Sequence, residues 1–212
     1  MSAETNNQVV VLGTFASELT LSHEVFGERF YHADLAVSRL SDSVDLVPLL
    51  VPEKLLHSER AYLGCTVKIT GQFRSYNRHD VSGSKLILSV FVQDMVFVEE
   101  ALTESAEQTN QILMQGYLCK DPIYRKTPLG REIADLMVAV NRAYGKSDYI
   151  PCICWGKNAR YVSDLEIGSK IWIQGRIQSR EYQKKTENRP PEKRVAYEVS
   201  VMRVRVGEKI LG

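Results

Sequence analysis

The amino-acid sequence lacks the features of membrane, secreted and disordered proteins. Its apolar runs are only a few residues long, whereas a membrane-spanning helix needs about 20 apolar residues. The first residues show no basic stretch followed by an apolar one, so no secretory signal is predicted. Four cysteines in 212 residues are typical of a reducing compartment rather than of a disulfide scaffold. With 44% apolar and 25% charged residues, the composition predicts a globular protein of the cytoplasm, with no membrane partner.

Patterns for catalysis and metal binding are also missing. The sequence contains no glycine-rich phosphate loop, no Ser/His/Asp order and no converging pair of carboxylates. Cys152 and Cys154 have no second Cys or His pair nearby, and zinc needs about four ligands. Asp121 and Asp148 are interpreted as turn residues. We therefore predict no enzymatic activity, no metal ion and no cofactor.

Charge is distributed unevenly along the chain, although the net charge is only +1. Residues 1–105 carry 8 basic and 14 acidic residues, whereas residues 106–212 carry 19 basic and 12 acidic residues. The first half is therefore at −6 and the second at +7. Such an asymmetry indicates that a polyanion meets the second half only.

The sequence repeats itself with an offset of 103 residues. Ten identical pairs share this offset without a gap, and three more follow after one inserted residue. The identical residues of the first copy are Asn7, Gln8, Gly13, Gly27, Ala36, Val37, Arg39, Asp45, Pro48, Lys54, Gly64, Gly71 and Ser75. We interpret the chain as a tandem duplication, with domains at 1–98 and 110–206, a linker at 99–109 and a short tail at 207–212.

Each copy has a β-rich pattern. In the second copy we predict strands at 111–118, 132–141, 149–155, 170–179 and 196–206, with turns at 120–122 and 127–130. A short helix is predicted over 158–165, ending before Gly168. Five strands with a helix between strands three and four follow the order of an OB barrel. The predicted fold class is therefore all-β, with two tandem five-stranded OB barrels, each with this short helix.

The second copy resembles the bacterial single-stranded DNA-binding proteins. The motifs that carry the resemblance, in family order, are Asn110-Gln-Ile-Leu-Met-Gln-Gly, Lys120-Asp-Pro, Thr127-Pro-Leu-Gly, Ala139-Val-Asn-Arg, Tyr149-Ile-Pro-Cys-Ile-Cys-Trp-Gly-Lys and Gln174-Gly-Arg-Ile-Gln-Ser-Arg. The resemblance covers residues 110–206, and the first copy resembles the same family more weakly. It implies sequence-independent binding of single-stranded DNA in replication, recombination or repair. It also implies a homodimer that presents four OB folds.

Such a binder needs aromatic surfaces for bases and cations for phosphates. Period-two alternation places Tyr149 and Trp155 on one face of strand three, about 20 Å apart. Both match positions where the family stacks bases, as do Tyr144 and Tyr182. The predicted phosphate ligands near this groove are Arg142, Lys157 and Arg180. Lys184 and Lys185 belong to a basic hairpin, 180–194, of the kind that closes over the ligand in OB folds.

The first copy lacks most of these groups. Ser41, Leu46 and Pro52 stand where the second copy has Tyr144, Tyr149 and Trp155, and only Tyr76 could stack. We therefore expect the acidic first barrel to serve assembly or partner contact rather than DNA binding.

Two other functions remain open. The same aromatic residues could bind RNA, and the first barrel could make the chain a protein scaffold of a replication or mobile-element complex. Family members usually end in an acidic tail that recruits replication and repair enzymes, whereas this sequence ends in Val206-Gly-Glu-Lys-Ile-Leu-Gly. We therefore expect contacts with such enzymes to be absent or to involve the first domain.

Overall fold

A computed structural model describes residues 6–39, 41, 43–57, 59–80, 83–98, 109–186 and 189–207, without the side chains of 79, 80, 144, 183–186 and 189–193. The predicted linker lies outside the described residues except for Thr109. In the described part, each half contributes six strands. The first-half strands are β1 (Asn7–Phe15), β2 (Thr20–Val25), β3 (Glu28–Ser38), β4 (Val44–Pro52), β5 (Thr66–Asp80) and β6 (Gly83–Phe97). The second-half strands are β7 (Asn110–Leu118), β8 (Ile123–Lys126), β9 (Glu132–Asn141), β10 (Ser147–Trp155), β11 (Lys170–Thr186) and β12 (Arg189–Val206).

In each half, five of the strands close into a barrel. In the second half the order is β7-β11-β12-β10-β9, and β9 returns to pair with β7. The pairing of β10 with β12 is parallel, and the other pairings of this barrel are antiparallel. The first half repeats this arrangement with β1, β5, β6, β4 and β3. The predicted pair of OB barrels is confirmed, and each barrel carries one additional short edge strand, β2 or β8, that the sequence analysis missed.

The helices differ between the two halves. In the second barrel, α1 (Lys157–Val162) buries Ala159 and Val162, and it ends three residues before the predicted end. In the first barrel, the corresponding segment is a single 3-10 turn at Glu53–Leu55, which ends because the backbone at Leu56 is extended. None of the helices in the described part of the chain is long and apolar enough to span a membrane.

The two barrels are joined through their first strands. β1 and β7 pair in antiparallel register, and Val9 lies opposite Ile112, which is its own equivalent in the repeat. The pairing therefore relates the two halves by an approximate two-fold axis. It connects β6-β5-β1 to β7-β11-β12 in one continuous sheet, while Val9 and Ile112 are fully buried in the core.

A pair of equivalent arginine–aspartate clusters also holds the barrels together. Arg39 donates two hydrogen bonds to Asp45 and one to the carbonyl oxygen of Ser179 in the other barrel. Asp45 also accepts a hydrogen bond from the backbone N–H of Ser179 at 2.7 Å. The hydrogen bond with Asp45 raises the pKa of Arg39. The guanidinium is therefore held charged at the junction of the barrels.

In the second cluster, the arginine and the aspartate belong to the second barrel and the serine belongs to the first. Arg142 forms an ion pair with Asp148 and donates to the carbonyl oxygen of Ser75 at 3.0 Å. Asp148 accepts from the backbone N–H of Ser75, and the Ser75 hydroxyl accepts from the backbone N–H of Tyr149. The interpretation of Asp148 as a turn residue is wrong, because it is buried in β10 and bonds to the first barrel.

Two of the repeated glycines are required by close backbone approach. A Cβ atom at Gly116 would clash with the carbonyl oxygen of Ala139 on β9, where the barrel closes. A Cβ atom at Gly175 would clash with the carbonyl oxygen of Ser200, at a bulge in the pairing of β11 with β12. These contacts explain why the duplication retains glycine at both positions and at their equivalents, Gly13 and Gly71.

Candidate nucleic-acid interface

The aromatic face predicted for strand three lies on the outside of the second barrel. On β10, Ile150, Cys152 and Cys154 point into the core, while Tyr149 is 44% exposed and Trp155 is 40% exposed. Alternation along the strand is the cause, because successive side chains of a strand point to opposite faces. We refer to this outer face of β10 as the groove.

Within the groove, Ile153 departs from the expected exposure. It shares the face of Tyr149 and Trp155 but is only 5% exposed. Its parallel partner on β12 is Ser200, which is also buried. The two accessible rings of the groove are therefore separated by side chains that are covered by the neighbouring strand β12.

Tyr182 lies on β11 in the hairpin that rises beside the groove, and it is 39% exposed. Arg180, two residues earlier, is exposed and lies 3.7 Å from the carboxylate of Glu198. Glu198 is buried and keeps its 2.7 Å hydrogen bond from Gln178, so the exposed guanidinium, which is beyond hydrogen-bond distance, can turn from Glu198 to a phosphate. Lys157 is exposed at the start of α1, directly after the strand that carries Trp155.

The structure places Arg142 elsewhere. Its guanidinium is occupied by Asp148 and by the carbonyl oxygen of Ser75, at the junction of the barrels. A phosphate would have to displace a buried carboxylate, and we therefore assign Arg142 to the structure of the junction. The repeated Arg-x5-Asp spacing at 39–45 and 142–148 is a signal in the sequence that could have indicated this pairing.

Three predicted ligands fall outside the described side chains, namely Tyr144, Lys184 and Lys185. The backbone of Tyr144 belongs to a 3-10 turn at Ala143–Gly145, next to the start of β10. Lys184 and Lys185 belong to the far end of β11. Their predicted contacts stay predictions.

The corresponding face of the first barrel is apolar and lacks aromatic rings. Leu46 is exposed at the position of Tyr149, and Pro52 is buried at the position of Trp155. Tyr76, the residue of the first copy that was expected to stack, is exposed at the base of the first hairpin.

A cavity of about 760 Å³ lies between the two hairpins, where the first barrel's outer face meets the second barrel. Tyr76 and Arg78 line it from the first hairpin, and Tyr182 and Tyr197 line it from the second. Burial raises the pKa of Tyr197. The sequence analysis missed Arg78 and Tyr197, because only the folded chain brings the two hairpins together.

The cysteine side chains do not form a metal site in the described part of the chain. Cys152 and Cys154 are buried free thiols, and burial raises the pKa of Cys154 to about 12. Across the residues given above, no three His, Cys, Asp or Glu side chains are grouped as metal ligands would be.

Comparison with known proteins identifies the second barrel. Residues 109–206 match the model of the single-strand binding protein family. A single-stranded DNA-binding protein of Bacillus cereus is 38% identical over 81 residues, which cover 35% of this chain and 48% of that protein. The chain therefore spans about half the length of the relatives that it matches.

Solved structures extend the likeness to both barrels. The wild-type single-stranded DNA binding protein from Thermus aquaticus matches with a TM-score of 0.73 at 19% identity, over 97% of this chain and 95% of that chain. At this identity the likeness concerns the fold, and it agrees with two OB barrels in one chain. The N-terminal domain of PriB protein from Thermoanaerobacter tencongensis is 41% identical over 45% of this chain and 99% of that domain, with a TM-score of 0.40.

Proposed function

Because residues 109–206 match the single-strand binding protein family, we propose that the chain binds single-stranded DNA without sequence preference and without catalysis. The observation that carries this proposal is the pair of half-exposed rings, Tyr149 and Trp155, on one face of β10. Residues 110–206 form the binding domain, residues 1–98 form the second OB domain, and residues 99–109 connect them. The relative from Bacillus cereus is named as a single-stranded DNA-binding protein.

Stacking supplies the affinity for bases. Tyr149 and Trp155 are six residues apart on a strand, which spaces their rings by about 20 Å. Several nucleotides fit over this length, and Ile153, between the two rings, is buried. Stacking on a ring accepts any base, so the site reads no sequence. Tyr182 and Tyr144, which match stacking positions of the family, are proposed as further stacking residues.

Cations beside the rings hold the backbone of the strand. We propose Lys157, Arg180, Lys184 and Lys185 as phosphate ligands, and we leave Arg142 out because Asp148 occupies it. The net charge of +7 on residues 106–212 favours a polyanion at this half, whereas the net charge of −6 on residues 1–105 opposes it.

Substitution of Trp155 tests the proposal. In the full chain, Trp155→Ala should weaken binding to oligo-dT by about 1–3 kcal/mol, the range for one stacked base. Leu46→Ala is the matched control, because Leu46 is an exposed apolar residue on the same face of the first barrel. If Trp155→Ala is folded and binds as tightly as the parent, the groove assignment is wrong. Equal affinity for poly-U and poly-dT at one salt concentration would favour the RNA-binding alternative.

We further propose that the chain works as a homodimer with four barrels, in the bacterial cytoplasm at the nucleoid, during replication, recombination or repair. The outer sheet face of the first barrel suits self-association, because Val96 is exposed there and Val10 and Phe91 are half-buried, with Lys68 and Asp94 beside them. Sedimentation should give a dimer at micromolar concentration, and Val96→Glu should reduce it to a monomer. Val25→Glu, at an exposed site on the other side of that barrel, is the control. A monomeric parent that still binds DNA would exclude the dimer.

One observation favours a scaffold as a second function of the first barrel. Phe26 is fully exposed in the turn after the edge strand β2, and its φ is 51°, an unfavourable angle for a bulky residue. An exposed ring of this kind offers a contact to a protein partner. Nuclease-treated lysate passed over the parent and over Phe26→Ser tests this function, and equal protein retention by both would exclude Phe26 from it.

A further inference from the structure

We propose that molecules bound side by side on one DNA strand contact each other through their edge strands, with β2 of one molecule pairing with β8 of the next. The partner is therefore a second copy of this chain. The proposal rests on the proposed function, because the DNA strand is what brings the molecules together. The surface itself is separate from the groove that binds the bases.

The strands β2 and β8 are the two open edges of the sheet. The order of the strands begins with β2 and ends with β8. Within the described residues, β2 pairs with β3 alone and β8 pairs with β9 alone. The outer side of an edge strand presents a row of unpaired N–H and C=O groups, which can pair with a strand of another molecule. Each edge is therefore half of a strand pairing.

Both edges also expose apolar side chains. Leu21 and Val25 are exposed on β2, and Ile123 and Tyr124 are exposed on β8. With the offset of the repeat, Leu21 corresponds to Tyr124, so the two edges occupy equivalent places on the two barrels. Exposed apolar side chains on an unpaired edge favour association with another strand.

The two edges have opposite charge, which selects the partner. Residues 16–30, which include β2, contain three acidic residues and one basic residue, so their net charge is −2. Residues 119–132, which include β8, contain four basic and two acidic residues, so their net charge is +2. Like charges opposite each other on paired strands are destabilising, whereas opposite charges are stabilising. Charge therefore opposes pairing of β2 with β2 or of β8 with β8, and it favours pairing of β2 with β8.

Glu24 provides the carboxylate of the acidic edge. It lies on β2 and is exposed. Arg29 lies opposite Glu24 on β3, but its ion pair in the structure is with Glu53. Among the ion pairs of the described residues, none includes Glu24. The carboxylate is therefore available to a cation of another molecule.

Lys126 provides the cation of the basic edge. It lies exposed at the end of β8, and the ion pairs of the described residues do not include it. Glu132 lies opposite Lys126 on β9. That carboxylate already accepts a 2.6 Å hydrogen bond from Tyr124 and forms an ion pair with Arg160. Lys126 can therefore meet a carboxylate from outside the molecule.

Pairing of unlike edges is head-to-tail. Each molecule has its acidic edge on the first barrel and its basic edge on the second, so a paired molecule still offers one free edge to the next. A head-to-tail contact that does not close into a ring extends into a linear array. Neither β2 nor β8 belongs to the outer sheet β6-β5-β1-β7-β11-β12. The contact is therefore compatible with the homodimer proposed above.

The contact is short, and this makes it depend on DNA. Pro122 and Pro128 flank β8 and have no backbone N–H, so the pairing is limited to the four residues Ile123–Lys126. A two-stranded pairing of this length is weak between free molecules. Molecules held next to each other on one strand meet at an effective concentration on the order of millimolar. We therefore expect the edges to pair on long DNA, where they make binding cooperative, and to stay unpaired in the free protein.

Charge-reversal variants of the full chain test this contact. Two probes are used: oligo-dT of about 16 nucleotides, which one OB fold can hold, and oligo-dT of about 200 nucleotides, which holds several molecules. Glu24→Lys and Lys126→Glu each place like charges at the contact, so each should lower the affinity for the long probe by about tenfold. Neither should change the affinity for the short probe. Glu59→Lys, at an exposed site in the loop before β5, repeats the charge change of Glu24→Lys and should leave both affinities unchanged.

An equimolar mixture of Glu24→Lys and Lys126→Glu distinguishes this contact from other effects of charge. In the mixture, the introduced lysine of one variant faces the introduced glutamate of the other, so the affinity for the long probe should return to that of the parent. The double variant Glu24→Lys, Lys126→Glu should also recover it. Urea unfolding of each variant checks that these exposed substitutions leave the fold intact.

Several outcomes would overturn the proposal. Single variants that bind the long probe as tightly as the parent would show that the edges do not meet. A loss that neither the mixture nor the double variant recovers would exclude pairing of Glu24 with Lys126. A loss of affinity for the short probe in Lys126→Glu would make Lys126 a phosphate ligand instead. The proposed function survives all three results, whereas a parent that fails to bind the short probe would contradict the proposed function itself.

Discussion

The carboxylate of Asp45, in the first barrel, accepts a hydrogen bond from the backbone N–H of Ser179, in the second barrel, at 2.7 Å. The same carboxylate binds Arg39, whose guanidinium reaches back to the carbonyl oxygen of Ser179. Asp45 therefore accepts a hydrogen bond from the backbone N–H of the other barrel, and Arg39 donates one to its backbone carbonyl oxygen. β11 continues from Ser179 into the basic hairpin, so the junction fixes the strand that carries Arg180 and Tyr182.

Removal of the Asp45 carboxylate should destabilise the whole chain. Asp45 is 1% exposed, so Asp45→Ala leaves Arg39 and the Ser179 N–H without their partner. We expect a loss of about 3 kcal/mol in the free energy of unfolding, measured in urea. Asp135→Ala, which breaks an exposed pair with Arg125, should cost less than about 1 kcal/mol. Similar losses in both variants would contradict the role of Asp45 at the junction.

Arg142 and Lys157 should respond differently to substitution. Arg142→Ala removes a structural ion pair, so it should lower the midpoint of unfolding and leave the salt slope of DNA binding unchanged. Lys157→Ala should instead flatten the slope of log K against log salt by about 0.7, because one phosphate contact is lost. Binding isotherms at several salt concentrations, together with a urea curve for each variant, separate the two effects. A flattened slope in folded Arg142→Ala would return Arg142 to the phosphate ligands.

The hairpin lysines should act through charge alone. The double variant Lys184→Ala, Lys185→Ala should weaken binding to dT, dC and dA oligomers by the same factor. If both lysines contact phosphates, the salt slope should flatten by about 1.4. Tryptophan quenching at saturation should stay at the level of the parent, since no ring is removed. A loss confined to one base would show that the hairpin reads bases.

Alkaline pH should destabilise the second barrel through its buried thiols. Burial raises the pKa of Cys154 to about 12 and raises that of Cys152 well above its ordinary value. In the unfolded chain a thiol ionises near about 8.5, so the unfolded state loses its proton first. The stabilisation is therefore complete below pH of about 8.5 and is lost as the pH rises toward about 12.

Unfolding in urea between pH 8 and 10 measures this loss. The double variant Cys152→Ala, Cys154→Ala should show a smaller decline than the parent, since its other titrating groups are the same. In the folded parent at pH 8, a thiol reagent should label Cys65 and Cys119 before Cys152 and Cys154, because only the latter pair is buried. Rapid labelling of all four cysteines would contradict this burial.

Several features could be predicted from local pattern alone. The repeat predicted two similar barrels, because Gly13, Gly27 and Pro48 share one offset with identical residues of the second half. Alternation along 149–155 placed Tyr149 and Trp155 on the accessible face and Cys152 and Cys154 in the core. Both predictions rest on periodicity, which a strand preserves in any barrel that buries one of its sides.

Other features depended on contacts between distant parts of the chain. Arg142 is a basic residue beside the groove in the sequence, yet Ser75, 67 positions earlier, helps to hold it at the junction. Ile153 shares the face of Trp155 but is buried. The cause is strand β12, which pairs with β10 and places Ser200 beside Ile153. The strands β2 and β8 are too short and too exposed to be recognised before β3 and β9 are present to pair with them.

The sequence by itself therefore determined the number of barrels, the inner and outer faces of their strands, and the half that carries rings and positive charge. Tertiary structure alone decided which cations are available to a ligand and which are held by carboxylates. The face on which a strand residue lies and the net charge of a half both depend on residues that are close in sequence. Periodicity and residue counts therefore predict them. The hydrogen bonds of Arg142 and Asp148 to Ser75, by contrast, exist only once the two barrels meet.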